Sequence, residues 1–282
     1  MERKVQPKIA LLMLTYNHSD CLSKSINDIL SQTYKNFTLQ IVDDFSEDHS
    51  FEIAKAFEIL DSRVRVIKNT RNLGMFENFE MNLKGLFNES KFDFFGWLGP
   101  DDEWSDTWLE NLIQMEAPKD MTGVRQSFVI YDYQSGREIR EYSDLPSTNL
   151  TFKDSKVLRK GYGELIHGLW DRRTVELIIQ DSQLVPFRYL LKLENLFISL
   201  LIEKRGFTMV RKPLHTKHKA SGSKNRYKQN YFFRNPNRII LVAIRALPGI
   251  IRLIKGKQKN HFFILGSFLI DLRVALPKKV KI

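Results

Sequence analysis

The sequence has very little cysteine, glycine and proline. Among its 282 residues Cys21 is the only cysteine, so no disulfide can form within the chain and no cysteine metal cluster can exist. Glycine and proline number 14 and 9, which argues against long disordered segments. Residues 1–8 lead directly into an apolar segment, without the long apolar region and cleavage site of a signal peptide. These absences predict a folded protein of a reducing compartment.

Negative charge is almost missing from the last part of the chain. Residues 228–282 contain 12 lysines and arginines but a single acid, Asp271, whereas the preceding residues carry 32 charges of each sign. The net charge of +11 therefore belongs to this segment alone. Such a concentration of positive charge indicates a negatively charged partner.

Short apolar runs alternate with amphipathic stretches through the first half of the sequence. Apolar runs bounded by polar residues predict buried strands, and apolar residues at helical spacing, such as those after the candidate N-cap Ser19, predict helices. The predicted strands cover residues 9–14, 37–42, 64–67 and 92–98, and the predicted helices cover 22–30, 53–60 and 76–87. This alternation predicts an α/β fold with a mostly parallel sheet flanked by helices.

The second half of the sequence is less regular. Residues 124–133 are predicted to form a strand, and residues 171–180 and 190–204 to form helices. Near Arg226 the composition changes to lysine and arginine mixed with bulky apolar residues. The sequence therefore predicts one domain over residues 1–226 and a basic, amphipathic helical extension over residues 227–282.

Two acidic pairs follow predicted strands, Asp43-Asp44 after the second and Asp101-Asp102 after the fourth. Ligands of parallel α/β sheets bind at the carboxyl ends of the strands. Three adjacent acids, 101–103, repel one another unless a cation or water compensates their charge. Mg²⁺ and Mn²⁺ suit carboxylate oxygens and also bind phosphate oxygens, so the second pair predicts a metal–diphosphate site. The alternative is that both pairs are capped turns.

Four segments together form a more specific pattern. Leu-Thr-Tyr-Asn (14–17) follows the first strand, Val-Asp-Asp-Phe-Ser-Glu-Asp (42–48) the second, Asn-Leu-Gly (72–74) the third, and Gly-Pro-Asp-Asp-Glu-Trp (99–104) the fourth. In order and spacing they resemble glycosyltransferase family 2, and the resemblance extends from residue 7 to about residue 220. It implies a Rossmann-like GT-A fold. It also implies transfer of a sugar from a nucleotide-diphosphate donor, UDP- or dTDP-linked, to an acceptor hydroxyl, with inversion at the anomeric carbon.

The resemblance also implies roles for individual residues. The donor nucleotide would contact Leu14, Thr15, Tyr16, Asn17, Asp44, Asn72 and Asp101. Asp101, Asp102 and His218 would hold Mn²⁺ or Mg²⁺, with His215 as the weaker alternative to His218. Gly99 stands where the commoner form of the motif has another acid, so fewer carboxylates are available for the metal.

The segment that starts at Glu194-Asn195 resembles the part of the family that supplies the catalytic base. Asn195 stands where the family usually has Asp, and its amide is not basic, so Glu194 is the candidate base. Alternatively, Glu194 only stabilises the start of its helix, and Asp171 is the next candidate. Trp170 lies in a segment that resembles one near the acceptor, where an aromatic ring can stack on a sugar, although it is equally compatible with a place in the core.

The basic extension contains apolar runs at residues 239–244, 250–254 and 262–270. Each run is shorter than the roughly 20 residues that a membrane-spanning helix requires. Basic amphipathic helices of this kind bind anionic membrane surfaces, so the extension predicts a cytoplasmic enzyme held on the inner face of the cell membrane. The alternative is a helical extension that packs on the domain or on a second subunit.

Two other functions compete with a glycosyltransferase. A metal-dependent nucleotidyltransferase would usually have a glycine-rich phosphate loop after the first strand, and this turn contains no glycine. A non-catalytic nucleic-acid-binding protein is suggested by the pI of 9.6, but the folded part of the chain is neutral, so no nucleic acid is expected as a partner. The expected acceptor is a surface polysaccharide or a lipid-linked glycan.

Overall fold

A computed structural model describes residues 6–116, 118, 121–133, 136–141, 162–186, 189, 194–218, 236–255 and 264–269. Its strands are β1 Ile9–Thr15, β2 Phe37–Asp43, β3 Val64–Lys68, β4 Phe94–Leu98, β5 Glu103–Trp104, β6 Val124–Tyr133, β7 Gly136–Arg140, β8 Leu169–Asp171 and β9 Phe207–His218. Its helices are α1 Leu22–Leu30, α2 Ser50–Leu60, α3 Met75–Glu89, α4 Trp108–Gln114, α5 Arg172–Asp181, α6 Glu194–Arg205 and α7 Pro236–Lys255, with a 3-10 turn at Tyr162–His167.

The strands form one sheet in the order β3-β2-β1-β4-β8-β6-β9-β5, and β7 pairs with β6. Strand β1 lies between β2 and β4 and is parallel to both, and β3 is parallel to β2. Strand β8 is antiparallel to β4, which makes the sheet mixed. The carboxyl ends of β1, β2 and β4 consequently meet at one edge, where the motif residues follow them.

Alternate residues of β1 pack into two different cores. Ala10, Leu12 and Leu14 belong to the cluster under α3, α5 and α6, whereas Leu11 and Met13 belong to the cluster under α1 and α4. All seven residues of β1 are buried. Because neighbouring side chains of a strand point to opposite faces, a strand covered on both faces requires the continuous apolar sequence that β1 has.

The structure confirms the predicted α/β class and the mostly parallel arrangement of the first four strands. Helix α1 begins later than Ser19 implies, with Cys21 at the N-cap and no side-chain capping bond. The backbone N–H of Ser19 donates instead to Asp48 Oδ2, at 3.0 Å. Strand β9 does not follow from the sequence pattern, because its second half is basic and only partly buried rather than apolar.

Part of the basic extension packs on the domain. Ala246, Ile250 and Leu253 of α7 are buried in the same cluster as Phe197 of α6. A Cβ placed on Gly249 would lie 2.0 Å from the backbone oxygen of Leu184, so α7 approaches that segment at a glycine. The predicted boundary near Arg226 lies outside the described residues, and among those that are described no helix is long and apolar enough to cross a membrane.

Candidate active site

The turns after β1 and β2 are held together by backbone-to-side-chain hydrogen bonds. Asn17, which has a φ of 56°, donates its N–H to Ser46 Oγ at 3.0 Å, and its Oδ1 accepts from the N–H of Glu47 at 2.9 Å. The N–H of His18 donates to Ser50 Oγ at 2.8 Å. A left-handed backbone is tolerated best by Gly and Asn, which explains Asn at position 17. These bonds fix the two turns that would surround a nucleotide.

Asp44 organises the loop after β3. Its Oδ1 accepts from Asn69 Nδ2 at 2.7 Å and from the N–H of Leu73 at 2.9 Å, while its Oδ2 accepts from the N–H of Gly74 at 2.8 Å. The side chain is 1% exposed. The predicted nucleotide contact Asp44 is therefore also a structural anchor, which brings the exposed Asn72 to the end of β2.

The predicted nucleotide residues at the end of β1 differ in accessibility. Leu14 and Thr15 are buried, at 4% and 0% exposure, so their side chains belong to the core. Tyr16 is half-buried and Asn17 is half-buried, so both present side-chain surface at the turn. The structure thus places Tyr16, Asn17, Asp44 and Asn72 around one edge of the sheet. Leu14 and Thr15 are buried in the core at the end of β1, next to this edge.

Asp102 is buried in a cluster of basic side chains. Its Oδ2 accepts from His215 Nε2 at 3.0 Å and lies 3.7 Å from Lys217 Nζ. Burial acts to raise the pKa of the carboxyl, but the charges of Lys217 and His215 outweigh it and hold the pKa of Asp102 well below its usual range. His167 adds to this effect. Asp102 is consequently held in its ionised form, with Lys217 and His215 beside it.

Gly99 makes room for this arrangement. A Cβ at position 99 would lie 2.4 Å from Asp102 Oδ2, so the Asp102 side chain would have to move to accommodate it. The glycine that replaces the commoner acid of the motif is therefore matched to the inward orientation of Asp102 toward β9.

His215 is fixed by stacking. Its ring lies on that of Trp104, with centroids 3.9 Å apart and an angle of 8° between the planes, and it is fully buried. The pairing of β5 with β9 sets Trp104 opposite His215 and Glu103 opposite Thr216. The predicted metal ligand His218 has its Nε2 2.8 Å from Oε1 of Glu103, the residue that follows Asp102, and Lys24 Nζ lies 2.6 Å from the same oxygen. The histidine beside Asp102 is the weaker candidate, His215.

The side chains around Asp101 and Asp102 bear on the divalent metal that the motif implies. Among the described residues, no three His, Cys, Asp or Glu side chains are grouped so that they could hold an ion. Asp101 is half-buried next to the ionised carboxylate of Asp102. Mg²⁺-type ions are commonly held by one or two carboxylates together with substrate phosphates and water. The residues present therefore fit a cation that is completed by a bound diphosphate, and they do not form a metal site of protein ligands alone.

The remaining predicted residues fall in different places. Helix α6 begins at Glu194, whose side chain lies outside the described part of the structure. The second candidate base, Asp171, caps α5 by accepting from the N–H of Thr174 at 2.7 Å, and its Oδ2 lies 2.7 Å from Arg205 Nε, so both carboxylate oxygens are engaged.

Trp170, the predicted acceptor contact, is 0% exposed and packs against Phe95 and Phe197. Its place is in the core, and the alternative of a sugar-stacking surface is not supported.

Sequence reasoning missed two features of the Asp102 cluster, His167 and the stacking role of Trp104, and it assigned Lys217 to the departing diphosphate without its contact to Asp102. His167 lies at the end of the 3-10 turn, where its Nδ1 donates to the backbone oxygen of Trp97 at 3.0 Å. Trp104 supplies the stacking face for His215. Lys217 and His215 share one face of β9, since residues two apart in a strand point the same way. That alternation was the available signal, but it becomes readable only once residues 207–218 are known to be a strand.

Comparisons with known proteins agree with this geometry. A family model described as "Glycosyl transferase family 2" matches residues 10–170, more than half of the chain. The Escherichia coli protein WfaP, named UDP-Glc:alpha-D-GlcNAc-diphosphoundecaprenol beta-1,3-glucosyltransferase, is 33% identical over 112 residues, which cover 39% of this chain and 42% of that protein. The chain thus spans less than half the length of this relative.

Two solved structures share the fold. The S. aureus protein TarS 1-349, solved with UDP-GlcNAc, superposes with a TM-score of 0.62 at 15% identity, covering 86% of this chain and 66% of that one. The mannosyltransferase PcManGT from Pyrobaculum calidifontis, solved with GDP-Man and Mn²⁺, has a TM-score of 0.52 at 12% identity, covering 96% of this chain and 74% of that one. At these identities the likeness shows the fold alone, a mostly parallel GT-A sheet flanked by helices.

Proposed function

This chain belongs to glycosyltransferase family 2, and on that premise we propose that it transfers a sugar from a nucleoside-diphosphate donor to an acceptor hydroxyl with inversion at the anomeric carbon. The observation that carries the proposal is the meeting of three strand ends. Parallel pairing of β1 with β2 and β4 brings the 14–17 turn, Asp44 and the 101–102 pair to one edge of the sheet. This is the edge at which α/β sheets bind ligands.

The turns at this edge suit a nucleoside. Tyr16 and Asn17 present side-chain surface, and the bonds of Asn17 to the 46–47 turn hold that surface in place before the ligand arrives. Preorganised contacts of this kind reduce the entropy that is lost on binding. We assign the base and ribose to this turn and the diphosphate to the neighbourhood of Asp101 and Lys217. The proposed donors are UDP- and dTDP-sugars.

Positive charge at the other end of the edge suits the leaving group. Lys217 is partly exposed, with 25% of its side-chain surface accessible, and it neighbours the buried carboxylate of Asp102. Charges that are positioned before the reaction stabilise negative charge as it develops. Asp101 and Asp102 would hold Mn²⁺ or Mg²⁺ together with the diphosphate, and a bound cation supplies further stabilisation of the leaving group.

The proposed reaction is a single in-line displacement. Glu194, at the first position of α6, takes the proton of the acceptor hydroxyl. The acceptor oxygen forms a bond to the anomeric carbon while the bond from that carbon to the diphosphate oxygen breaks on the opposite face. The nucleoside diphosphate leaves with the electron pair, and the configuration inverts. The proposed acceptor class is a lipid-linked or surface glycan, which is supported by the activity for which WfaP is named.

The test uses the full chain with a panel of UDP-, dTDP- and GDP-sugars, with and without Mn²⁺. Thermal stabilisation and slow donor hydrolysis identify the donor, and transfer to a diphospholipid-linked GlcNAc acceptor is then followed. NMR of the product reports the anomeric configuration. Transfer with retained configuration contradicts the inverting mechanism. If no nucleotide sugar stabilises the chain, the assignment of this edge of the sheet as a donor site is contradicted.

A further inference from the structure

Helix α7 has three faces with different chemistry. With about 100° between successive residues of a helix, the buried residues Ala246, Ile250 and Leu253 lie on one face, which packs on the domain. The second face is apolar and open, and the third is basic. The three faces are separated by roughly equal angles, so over residues 244–255, whose side chains the structure describes, packing on other described residues covers only about one third of the helix surface.

The open face is a row of three branched aliphatic side chains. Ile244, Leu247 and Ile251, which we call the aliphatic row, are spaced three and four residues apart and are 61%, 41% and 44% exposed. Scattered exposed aliphatic residues are ordinary, but a contiguous apolar row bordered by charge marks an interaction surface. Exposing these side chains to water is unfavourable in proportion to their apolar area, so covering the aliphatic row lowers the free energy.

The basic face borders the aliphatic row on the side away from the domain. Arg245 and Arg252 are both exposed and lie seven residues apart, so they share one line along the helix. Lys255, also exposed, lies between this line and the aliphatic row at the helix end. The segment around them carries the whole net charge of the chain.

We propose that α7 lies in the plane of an anionic membrane surface, with the aliphatic row inserted between lipid headgroups and Arg245 and Arg252 bound to lipid phosphates. A helix with an apolar face beside a basic one is the form that binds such an interface. The domain, packed on the buried face of Ala246, Ile250 and Leu253, remains in water. This inference rests on the surface of α7 and is independent of the function proposed for the site at the carboxyl ends of β1, β2 and β4.

Charge selects the membrane over a second copy of this chain. Two copies meeting through the aliphatic row would bring two strongly basic segments together, and like charges in contact are unfavourable. Nucleic acid would use the arginines but leave the aliphatic row uncovered, because single-strand binding relies on aromatic platforms and backbone contacts. An anionic lipid surface covers the aliphatic row with acyl chains and also offers phosphates to the arginines.

The test is co-sedimentation of the full chain with vesicles of phosphatidylglycerol and phosphatidylcholine, beside vesicles of phosphatidylcholine alone. We expect binding to the anionic vesicles and much weaker binding to the neutral ones. Each basic residue at the surface is worth roughly fivefold in partitioning, so R245Q/R252Q should weaken binding roughly 25-fold at low salt. The I244S/L247S/I251S variant should lose the part of the binding that survives high salt.

Control variants carry changes of the same kind at other exposed sites. I59S/L60S removes two aliphatic side chains that are 82% and 81% exposed on α2, and R65Q/R173Q removes two exposed arginines. Both controls should bind vesicles like the unaltered chain, and thermal melts confirm that all variants fold. The proposal is overturned if the full chain stays in the supernatant with anionic vesicles, or if the controls weaken binding as much as the α7 variants. It is equally overturned if I244S/L247S/I251S dissociates a dimer in solution while vesicle binding is unchanged.

Discussion

The buried carboxylate of Asp102 accepts a hydrogen bond from His215 at 3.0 Å, although the two residues are 113 positions apart in the sequence. The ring of His215 cannot rotate freely, because it is stacked on Trp104. Strand β9 therefore determines how the carboxylate that follows β4 is oriented. We interpret His215 as a positioning residue for Asp102.

This interpretation predicts that His215→Ala lowers kcat/KM for the nucleotide sugar by roughly 10- to 100-fold, the range expected when a hydrogen bond to a charged group is lost. His215→Asn or His215→Gln should restore part of the loss, because either amide can donate to Asp102. Steady-state kinetics and thermal melts of the three variants are compared. A role confined to packing predicts no rescue by the amides, and that result would contradict the positioning role.

A second prediction concerns Gly99. Gly99→Ala should push the carboxylate of Asp102 away from His215, because the new Cβ would lie 2.4 Å from Asp102 Oδ2. The expected cost in stability is on the order of 1–3 kcal/mol, as for other overpacked sites, accompanied by weaker nucleotide binding. Gly85→Ala is the matched control, because nothing lies within 4 Å of its Cβ position in α3, and it should stabilise the chain by about 0.5–1 kcal/mol. Denaturant melts and nucleotide titrations measure both. Equal behaviour of the two variants would refute the steric role of Gly99.

The sequence was sufficient to predict the first four strands and the edge at which the motifs meet. Strands β1 and β4 are apolar and buried on both faces, so their composition shows where they are. The outer strand β3 is only partly buried but keeps a short apolar run, and the parallel order follows from the alternating helices. Strand β9 could not be predicted in the same way, because it mixes basic and apolar residues over 12 positions. The choice between His215 and His218 depends on its register with β5, and register is a tertiary property.

Asp44 shows a different limit. A carboxylate after a strand predicts a ligand contact or a cap, and both of its oxygens accept hydrogen bonds from the loop of residues 69–74. The residues next to Asp44 in the sequence give no indication that its partners lie 25 to 30 positions further along the chain. Trp170 illustrates the same point, because its segment is compatible with a surface or a core position and its burial follows from the packing of Phe95 and Phe197 around it.

The third prediction tests the catalytic base. Glu194→Gln should lower turnover by about 10²-fold or more, the usual effect of losing a general base, with little change in donor affinity. Asn195→Ala is the neighbouring control and should have a smaller effect, because an amide cannot accept the proton. Single-turnover rates and donor titrations separate the two quantities. Near-normal turnover of Glu194→Gln would show that the base lies elsewhere, and Asp171, which is tied to Arg205 and the start of α5, is a poor replacement.

The fourth prediction tests the metal. Asp101→Asn should abolish the increase in nucleoside-diphosphate affinity that Mn²⁺ produces, while the fold is preserved because Asp101 is only half-buried. Asp102→Asn should remove the same response but also lower stability, since it removes the buried negative charge that Lys217 and His215 contact. Asp106→Asn, at an exposed acid nearby, is the control. Calorimetry with and without Mn²⁺ measures the affinities, and an unchanged Mn²⁺ response in the Asp101 variant would remove this residue from the metal site.

The last prediction is a pH dependence of stability at Asp48, which ties the turn after β1 to the start of α2. Although partial burial acts to raise it, hydrogen bonds from Ser50 and Ser19 lower the pKa of Asp48 from 3.8 to about 2. A carboxyl whose pKa is depressed in the folded state stabilises that state fully above its unfolded value, and the contribution disappears as the pH falls through the folded value. Asp48→Asn should therefore reduce the free energy of unfolding by about 1 kcal/mol at neutral pH, the size of a typical capping interaction for a group this exposed. The difference between the variant and the unaltered chain should shrink between pH 3.8 and about pH 2.

Glu47→Gln, at the exposed neighbouring position, should show no such trend. Denaturant melts across this pH range measure the difference, and a constant gap between Asp48→Asn and the unaltered chain would show that the charge of Asp48 does not hold the two turns together.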